Sequence, residues 1–324
     1  MQKLRVTLLL LLGMNLITQS NLFALSQTKF QKLPSKKPLG IEQHHQSTLP
    51  DTLGVGSDTL RTQIEAEVNR QKATVFPQRI KEALQVVLEI QGAVQALQKH
   101  QSAVARDSLI RAQRKLQTLL SRYPDVKFIP IDANVEVINL AAGPDTIKAA
   151  RKLVKELIAQ GKLQAARKLL DNLVSEIRVT TTYLPMVTFP EAVQKALQLI
   201  QQKQVAKARQ VLEEALATLE IREYAIPLPV IIAESLVSAA AAIADSSADL
   251  AIRMLQNARR QLEIARLLGY SMDNYQYQHL LTQIDHLQAE LRKGHQTKTP
   301  FKKLKKDIRE FKESFKRFGK RAKK

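Results

Sequence analysis

Apolar residues recur at every third or fourth position along most of the chain between residues 59 and 292. Residues 77–100 and 102–121 show this period clearly, and Pro124 ends the second segment because proline disfavours helix in the residue before it. A period of this kind places apolar side chains on one face of an α-helix. The pattern predicts a mainly α protein, built as a bundle of antiparallel helical hairpins. Further helices are expected over 229–244, 248–268 and 271–292.

One hairpin recurs in the sequence. Residues 157–170 match residues 199–212 at six of fourteen positions with an offset of 42 residues, and residues 105–109 are a weaker third copy. In each copy a helix ends, turns and restarts on an Ala-Arg-x-x-Leu stretch. Small alanines let two helices approach closely while leucine fills the seam. The spacing is too irregular for a regular solenoid, so the repeat favours a compact bundle.

Three segments with a different pattern follow the hairpins. Residues 127–140, 177–184 and 221–229 are rich in β-branched and aromatic residues and are bounded by proline. Such composition is typical of strands. We therefore expect a small sheet, or paired extended stretches, beside the helices.

The start of the chain is typical of a secretory signal. Lys3 and Arg5 precede an apolar stretch over residues 6–17, and Ala24 offers a small residue for cleavage. The stretch is shorter than the ~20 residues that a membrane span needs, so a cleaved signal over 1–24 is favoured over an uncleaved signal-anchor. Residues 25–58 are polar, contain several Pro and Gly, and are interpreted as a flexible leader.

The end of the chain is strongly basic. Residues 301–324 contain twelve basic and three acidic residues and so carry +9 of the total net charge of +20. Apolar residues recur there at alternating spacings of three and four, which lines one helical face. Thr299 is a candidate cap and Pro300 suits the first turn. The pattern predicts a linker over 293–300 and a basic amphipathic helix over 301–324.

Three interpretations of this helix remain open. Its apolar residues could dock on the helical body while the lysines stay in solvent. The helix could instead adsorb to an anionic membrane surface. Nucleic-acid binding is the third interpretation, disfavoured because an exported protein seldom meets nucleic acid. The candidate membrane-contact residues are Phe301, Leu304, Ile308, Phe311, Phe315, Phe318, Lys302, Lys303, Lys305, Lys306, Lys312, Lys316 and Arg317.

Little in the sequence indicates catalysis. The chain has no Cys, which excludes a disulfide scaffold, a thiolate zinc site and a cysteine nucleophile. It has no Gly-rich phosphate loop and no Gly-x-Ser-x-Gly elbow. His279 and His286 lie about 10 Å apart along a helix, too far to share one metal ion directly. A Ser-His-Asp triad stays open because its members need not be close in sequence. We expect no enzyme activity, catalytic residues, metal or cofactor.

Several stretches, taken in order, resemble the YfdX family of exported bacterial proteins. The similarity extends over about residues 75–312. It is carried by residues 129–138, 149–167, 183–190, 226–229, 258–270 and 301–306. The resemblance implies a mainly helical protein of the periplasm or cell envelope of a bacterium, without an established enzymatic activity. It also implies links to acid and multidrug stress, pH-dependent self-association and binding of small amphipathic drugs.

The most site-like residues lie in the family-like Tyr-x-Pro and Pro-Leu-Pro segments. They could line a cleft for an amphipathic ligand, or they could stiffen connections and fill the core. These candidates are Tyr183, Pro185, Phe189, Tyr224, Pro227 and Pro229.

The expected function is that of a non-enzymatic, exported stress-response protein that binds small amphipathic molecules or misfolded partner proteins. The alternative is a membrane-surface adaptor held to anionic lipid by the basic amphipathic helix. We also expect the chain to associate with further copies of itself, and we do not expect nucleic acid as a partner.

Overall fold

The structure is a computed structural model that describes residues 56–76, 80–270 and 274–318. Within these ranges the chain forms eleven helices and three strands, which confirms the prediction of a mainly α protein. The predicted signal and all of the predicted leader before Gly56 lie outside the described residues. None of the described helices is both long enough and apolar enough to cross a membrane.

The described chain begins with helix α1 (Ser57–Val75) and continues with three units of two helices and one strand. The first unit is α2 (Lys81–Gln98), α3 (Ser102–Arg122) and β1 (Phe128–Ile138). The second is α4 (Pro144–Ala159), α5 (Leu163–Asp171) and β2 (Glu176–Pro185). The third is α6 (Thr188–Gln201), α7 (Val205–Ala217) and β3 (Glu220–Pro227). Four more helices follow: α8 (Leu228–Ile243), α9 (Ala248–Leu267), α10 (Asn274–Arg292) and α11 (Lys298–Phe318).

The predicted sheet is confirmed. The three strands are antiparallel in the order β1-β2-β3, with Val135 beside Val179 and Val179 beside Tyr224. One face of the sheet packs on α1 through a cluster that includes Val68 and Val75. Helix α1 lacks a strong apolar period, so the sequence pattern did not predict it as a separate helix. It packs on both the sheet and α8.

Two of the three hairpins pack on each other. Helix α2 contacts α7 and α3 contacts α6, so the first and third hairpins form a four-helix arrangement. The second hairpin instead rests on α9 through α4. Helices α8 to α11 share the largest apolar cluster, to which α1 adds Leu60. The last helix begins at Lys298, earlier than predicted, so Thr299 lies inside it and is not its cap.

The three hairpin turns share one backbone conformation. His100, Gly161 and Lys203 each have a positive φ, of 59°, 70° and 59°. In each turn the next residue donates its N–H to a carbonyl five residues earlier; the donors Gln101, Lys162 and Gln204 reach Ala96, Leu157 and Leu199 at 2.8, 2.9 and 2.8 Å. These bonds close the helix end in a Schellman motif, which glycine satisfies without steric strain.

Replacing Lys203 with glycine should therefore raise the free energy of unfolding by about 1 kcal/mol, because only glycine adopts a left-handed backbone without strain. Lys207→Gly provides the control, since Lys207 is exposed inside α7 and has ordinary helical backbone. That change should lower the stability by about 1 kcal/mol. Urea denaturation of both variants checks the sign, and equal effects of the two changes would contradict the turn conformation.

Candidate functional site

The six residues predicted to line a cleft do not come together. Tyr183 lies at one end of the sheet, where it pairs with Glu220, whereas Pro227 pairs with Glu176 at the other end. Tyr183 and Glu176 are seven residues apart on β2, which separates them by about 23 Å. Pro185, Phe189, Pro227 and Pro229 are buried. The prediction of one shared cleft is therefore corrected: these four residues fill the core.

The two tyrosines of that set have structural partners. The Arg222 guanidinium lies over the Tyr183 ring at 4.5 Å and over the Phe128 ring at 4.9 Å. The Tyr224 hydroxyl donates to Gln71 Oε1 at 2.9 Å. Burial, with the nearby Glu313 and Glu67 carboxylates, raises the pKa of Tyr224 to about 12.

The apolar face of α11 is part of the core. Its residues are at most 5% exposed and join the cluster formed by α8, α9 and α10. They are Phe301, Leu304, Ile308, Phe311 and Phe315. The docking interpretation is thus confirmed, and membrane contact by these five side chains stays a prediction that would require α11 to leave the body. The side chains of Arg317 and Phe318 lie outside the described ones.

Lys312 does not belong to the exposed basic face on which the sequence placed it. It is 5% exposed, and its ammonium lies 3.2 Å from Glu67 Oε2 on α1 and 2.5 Å from Glu234 Oε2 on α8. A buried ammonium is stable only when carboxylates and hydrogen bonds replace its hydration. Lys312 therefore fastens α11 to α1 and α8.

Further charges extend this buried cluster to the surface. Arg70 contacts Glu67 at 2.6 Å and Glu313 at 3.0 Å, and Lys316 contacts Glu313 at 2.6 Å. Gln71 donates to Glu67 Oε1 and links the cluster to the Tyr224 hydroxyl. Arg309 contacts Glu234 at 3.4 Å from the exposed side, so three carboxylates and four cations are brought together.

The cluster predicts a loss of stability in acid. Burial raises the pKa of Glu67, but the hydrogen bond from Arg70 and the charge of Lys312 outweigh it and hold the pKa below 4.5. A lowered folded-state pKa means that the stabilisation is complete above the unfolded-state value and is lost as the pH falls through the folded-state value. The free energy of unfolding should thus fall steadily below about pH 4.5.

The Glu67→Gln variant should be less stable at about pH 7 and should lose less stability in acid. Parallel acid slopes in urea titrations would contradict this role of Glu67.

The half-buried Tyr270 and the buried Tyr277, which both contact the apolar cluster of α8 to α11, offer a matched test of hydrogen bonding. The Tyr270 hydroxyl accepts the Ser175 N–H at 2.8 Å, whereas the Tyr277 hydroxyl is buried without a partner among the described residues. Tyr270→Phe should cost about 1–3 kcal/mol, because it leaves a backbone donor unpaired, while Tyr277→Phe should be neutral or stabilising. Thermal unfolding compares the two variants, and an equal loss in both would contradict the assignment.

The exposed side of α11 borders a groove. The groove lies between the first half of α11 and the end of α8 and has a volume of about 750 Å³. Ala241, Ala244 and Phe301 contribute apolar lining. Six cationic residues also line it: Lys298, Lys302, Lys303, Lys305, Lys306 and Arg309.

Few carboxylates neutralise these cations. Asp245 lies 3.6 Å from Lys298, Glu310 lies 3.6 Å from Lys306 and Glu234 lies 3.4 Å from Arg309, so three of the six cations have a carboxylate partner. Lys302, Lys303 and Lys305 form no ion pair with a carboxylate of the described chain. A groove with apolar lining and uncompensated cations suits an anion that carries an apolar group. The sequence located the cations but not the groove, since it did not show that the alanine-rich end of α8 lies against α11.

One comparison with known proteins matches the part of the chain that holds the three hairpin–strand units. A family model described as YfdX protein matches residues 86–225, a range that begins in α2 and ends in β3. The family-like segments at 226–229, 258–270 and 301–306 fall outside that match. No curated protein matches the chain. A solved structure of YfdX from Salmonella Typhi is 14% identical, has a TM-score of 0.34, and its match covers 46% of this chain and 93% of that chain.

Proposed function

Residues 86–225 of this chain belong to the YfdX family, and from this premise and the groove beside α11 we propose a non-enzymatic, exported binding protein of the bacterial cell envelope. Its ligands are anionic amphipathic molecules, and its binding site is the groove between α8 and α11. The observation that carries the proposal is the groove itself, in which apolar lining adjoins cations without carboxylate partners. The predicted signal over residues 1–24 supports export, and the resemblance supports a role in the stress response.

The groove supplies both contacts that an anionic amphiphile needs. An apolar chain removes water from the half-buried Ala241 and Ala244 and gains about 25 cal/mol for each Å² buried. A carboxylate, sulfate or phosphate head group lies among Lys302, Lys303 and Lys305. The volume falls within the range of small-molecule sites. No covalent step is required, since binding alone removes the amphiphile from solution.

Isothermal titration calorimetry with three amphiphiles that share a dodecyl chain tests the proposal. Dodecanoate is anionic, dodecyltrimethylammonium is cationic and dodecyl maltoside is neutral, and each is kept below its critical micelle concentration. We expect dodecanoate to bind most tightly. Combined Lys302→Gln, Lys303→Gln and Lys305→Gln should weaken its binding by about fivefold per lysine removed.

The control removes the same charge elsewhere on the protein. Lys99, Lys195 and Lys207 are exposed on the first and third hairpins, away from the groove. Their combined replacement by glutamine should leave dodecanoate binding within about twofold of the original. Equal affinity for the three head groups, or an equal loss in both triple variants, would contradict the groove as the binding site.

A second candidate function is attachment to an anionic membrane surface. It is favoured by the exposure of Lys302, Lys303, Lys306 and Arg309 while the apolar face of α11 stays buried. The contact would then be electrostatic, so flotation with phosphatidylserine vesicles should decrease as salt rises. Vesicle binding without dodecanoate binding would favour this function over the first. Phe311→Ser is unsuitable as a test because the ring lies in the core.

A further inference from the structure

The second hairpin leaves an apolar face uncovered. Helix α5 buries only Ala166 and packs chiefly on α4. Ile158 near the end of α4 and Leu170 on α5 are 50% and 47% exposed, and Leu163 at the start of α5 is exposed as well. Exposed apolar side chains grouped on one hairpin are typical of an interaction surface.

The internal repeat shows what covers the same face in the other two hairpins. When the three copies are aligned on their turns, the residues equivalent to Ile158 and Leu170 are at most 9% exposed in the first and third hairpins. They are Leu97, Ile200, Leu109 and Leu212. Helices cover them, because α2 contacts α7 and α3 contacts α6. A helix is therefore the element that fits this face, and the described chain leaves the second hairpin without one.

Cations stand on this face where the other hairpins are apolar. Arg151 and Lys155 correspond to the buried Ile90 and Val94 of the first hairpin. The third hairpin is apolar at both positions as well. Arg151 and Lys155 lie seven and three positions before Ile158, so the three side chains share one side of α4. The face thus combines apolar residues near the turn with cations along α4.

These two cations lack carboxylate partners. Lys148 and Lys152 of the same helix have carboxylates of the chain within 4.0 Å. Arg151 and Lys155 form no ion pair with a carboxylate in the described part of the chain. Residues 144–171 contain seven basic and three acidic residues, a net charge of +4. A partner that complements this face therefore supplies carboxylates beside its apolar residues.

We propose that the second hairpin binds an amphipathic helix of another protein, one that is rich in Asp and Glu. The helix lies along the hairpin as α7 lies along α2. Its apolar residues cover Ile158 and Leu170, and its carboxylates pair with Arg151 and Lys155. The partner is recognised as a helix, unlike a misfolded chain. This proposal does not rest on the groove beside α11.

Charge argues against the other occupants that this protein could supply. Residues 25–55 contain four basic and two acidic residues, a net charge of +2, and a second copy would bring another hairpin of +4. Either occupant would place like charges near Arg151 and Lys155, which is unfavourable at low ionic strength. An acidic helix is attracted instead, and salt should weaken its binding.

Two peptides with the apolar pattern of α7 test the proposal. The acidic peptide is residues 202–219 with Lys203→Glu, Lys207→Glu and Arg209→Glu, and the basic peptide is the same segment with Glu213→Lys and Glu214→Lys. With blocked ends their charges are −5 and +5. Each carries a neutral fluorophore, and anisotropy measures its binding to the chain from residue 25 onward. At low salt the acidic peptide should bind at least about tenfold more tightly than the basic one.

Replacing the exposed apolar residues assigns the binding to this face. Combined Ile158→Ser and Leu170→Ser should weaken binding of the acidic peptide by about tenfold or more. Leu153→Ser is the matched control, because Leu153 is 48% exposed on the same hairpin but corresponds to the exposed Lys195. That variant should change the affinity by less than about threefold.

Charge reversal gives a readout that a folding defect cannot imitate. Combined Arg151→Glu and Lys155→Glu should weaken binding of the acidic peptide by about tenfold and strengthen binding of the basic peptide. Lys195→Glu with Lys207→Glu makes the same change of charge on exposed positions of the third hairpin. This control should alter both affinities by less than about threefold.

The remaining outcomes would overturn the proposal. Loss of acidic-peptide binding in the triple Lys302→Gln, Lys303→Gln and Lys305→Gln variant, but not on charge reversal of α4, would place the peptide on α11. Equal binding of an acidic peptide that also carries Ala208→Pro and Ala215→Pro, and so cannot form the helix, would indicate capture of unfolded chains. No binding of the acidic peptide, as expected if residues 25–55 or a second copy cover the face, would contradict the proposal as well.

Discussion

Replacing Lys312 with alanine is expected to lower the free energy of unfolding by about 3–5 kcal/mol. The change removes the ammonium that lies 3.2 Å from Glu67 Oε2 and 2.5 Å from Glu234 Oε2. Arg70 still pairs with Glu67, but Glu234 keeps only its partly exposed contact to Arg309. A carboxylate left in the interior without its cation must be protonated or hydrated, and either process favours release of α11. Urea denaturation measures the loss.

The same helix offers the control. Lys302 and Lys306 are exposed on α11, and alanine at either position should change the stability by less than about 0.5 kcal/mol. Lys312→Met combined with Glu67→Gln and Glu234→Gln should recover part of the loss, since no buried charge is then left without a partner. A loss at Lys312 as small as that at Lys302 would show that the cluster does not hold α11 to the body.

Phe311→Ala is the second change with a large expected effect, a loss of about 3–5 kcal/mol. The Phe311 ring packs edge-on against Tyr277 with centroids 4.9 Å apart, and against Phe315 at 5.0 Å. Truncation removes both aromatic contacts and leaves a cavity between α10 and α11 that the neighbouring helices fill only in part. Thermal or urea unfolding measures the change.

The comparison for Phe311 is an aromatic residue outside the core. Tyr275 lies on α10 and is 76% exposed, so Tyr275→Ala should lower the stability by less than about 1 kcal/mol. If Phe311→Ala were as mild as Tyr275→Ala, the apolar face of α11 would not be buried in solution. The membrane interpretation of that face would then regain its support.

Local patterns in the sequence predicted most of the elements. The three-to-four period located the hairpins because amphipathic helices bury one face, and β-branched segments bounded by proline located the strands. The packing partners were not predictable in the same way. The apolar spacing of residues 301–315 suits a membrane and a protein core equally well. Lys312 looks like any other lysine of the tail, since its partner Glu67 lies 245 positions earlier in the chain.

The cleft predicted from Tyr183 and Pro227 failed for a topological reason. Both residues lie near the ends of their strands, β2 and β3, and these strands are antiparallel. The C-terminal ends of two antiparallel neighbours lie at opposite ends of the sheet. Motifs that each follow the C-terminal end of a strand are therefore kept apart. The groove beside α11 could not be located from the sequence, because it depends on how a helix from the end of the chain docks on α8.

Amide hydrogen exchange of residues 301–315, measured in buffer and with saturating dodecanoate, tests most directly that α11 is a core helix with a binding groove on its outer side. We predict strong protection in buffer, comparable to that of α8, because both helices belong to one apolar cluster. Dodecanoate should preserve that protection and add to it near Lys302 and Lys305. Rapid exchange along the segment in buffer, or loss of protection when dodecanoate binds, would contradict the account.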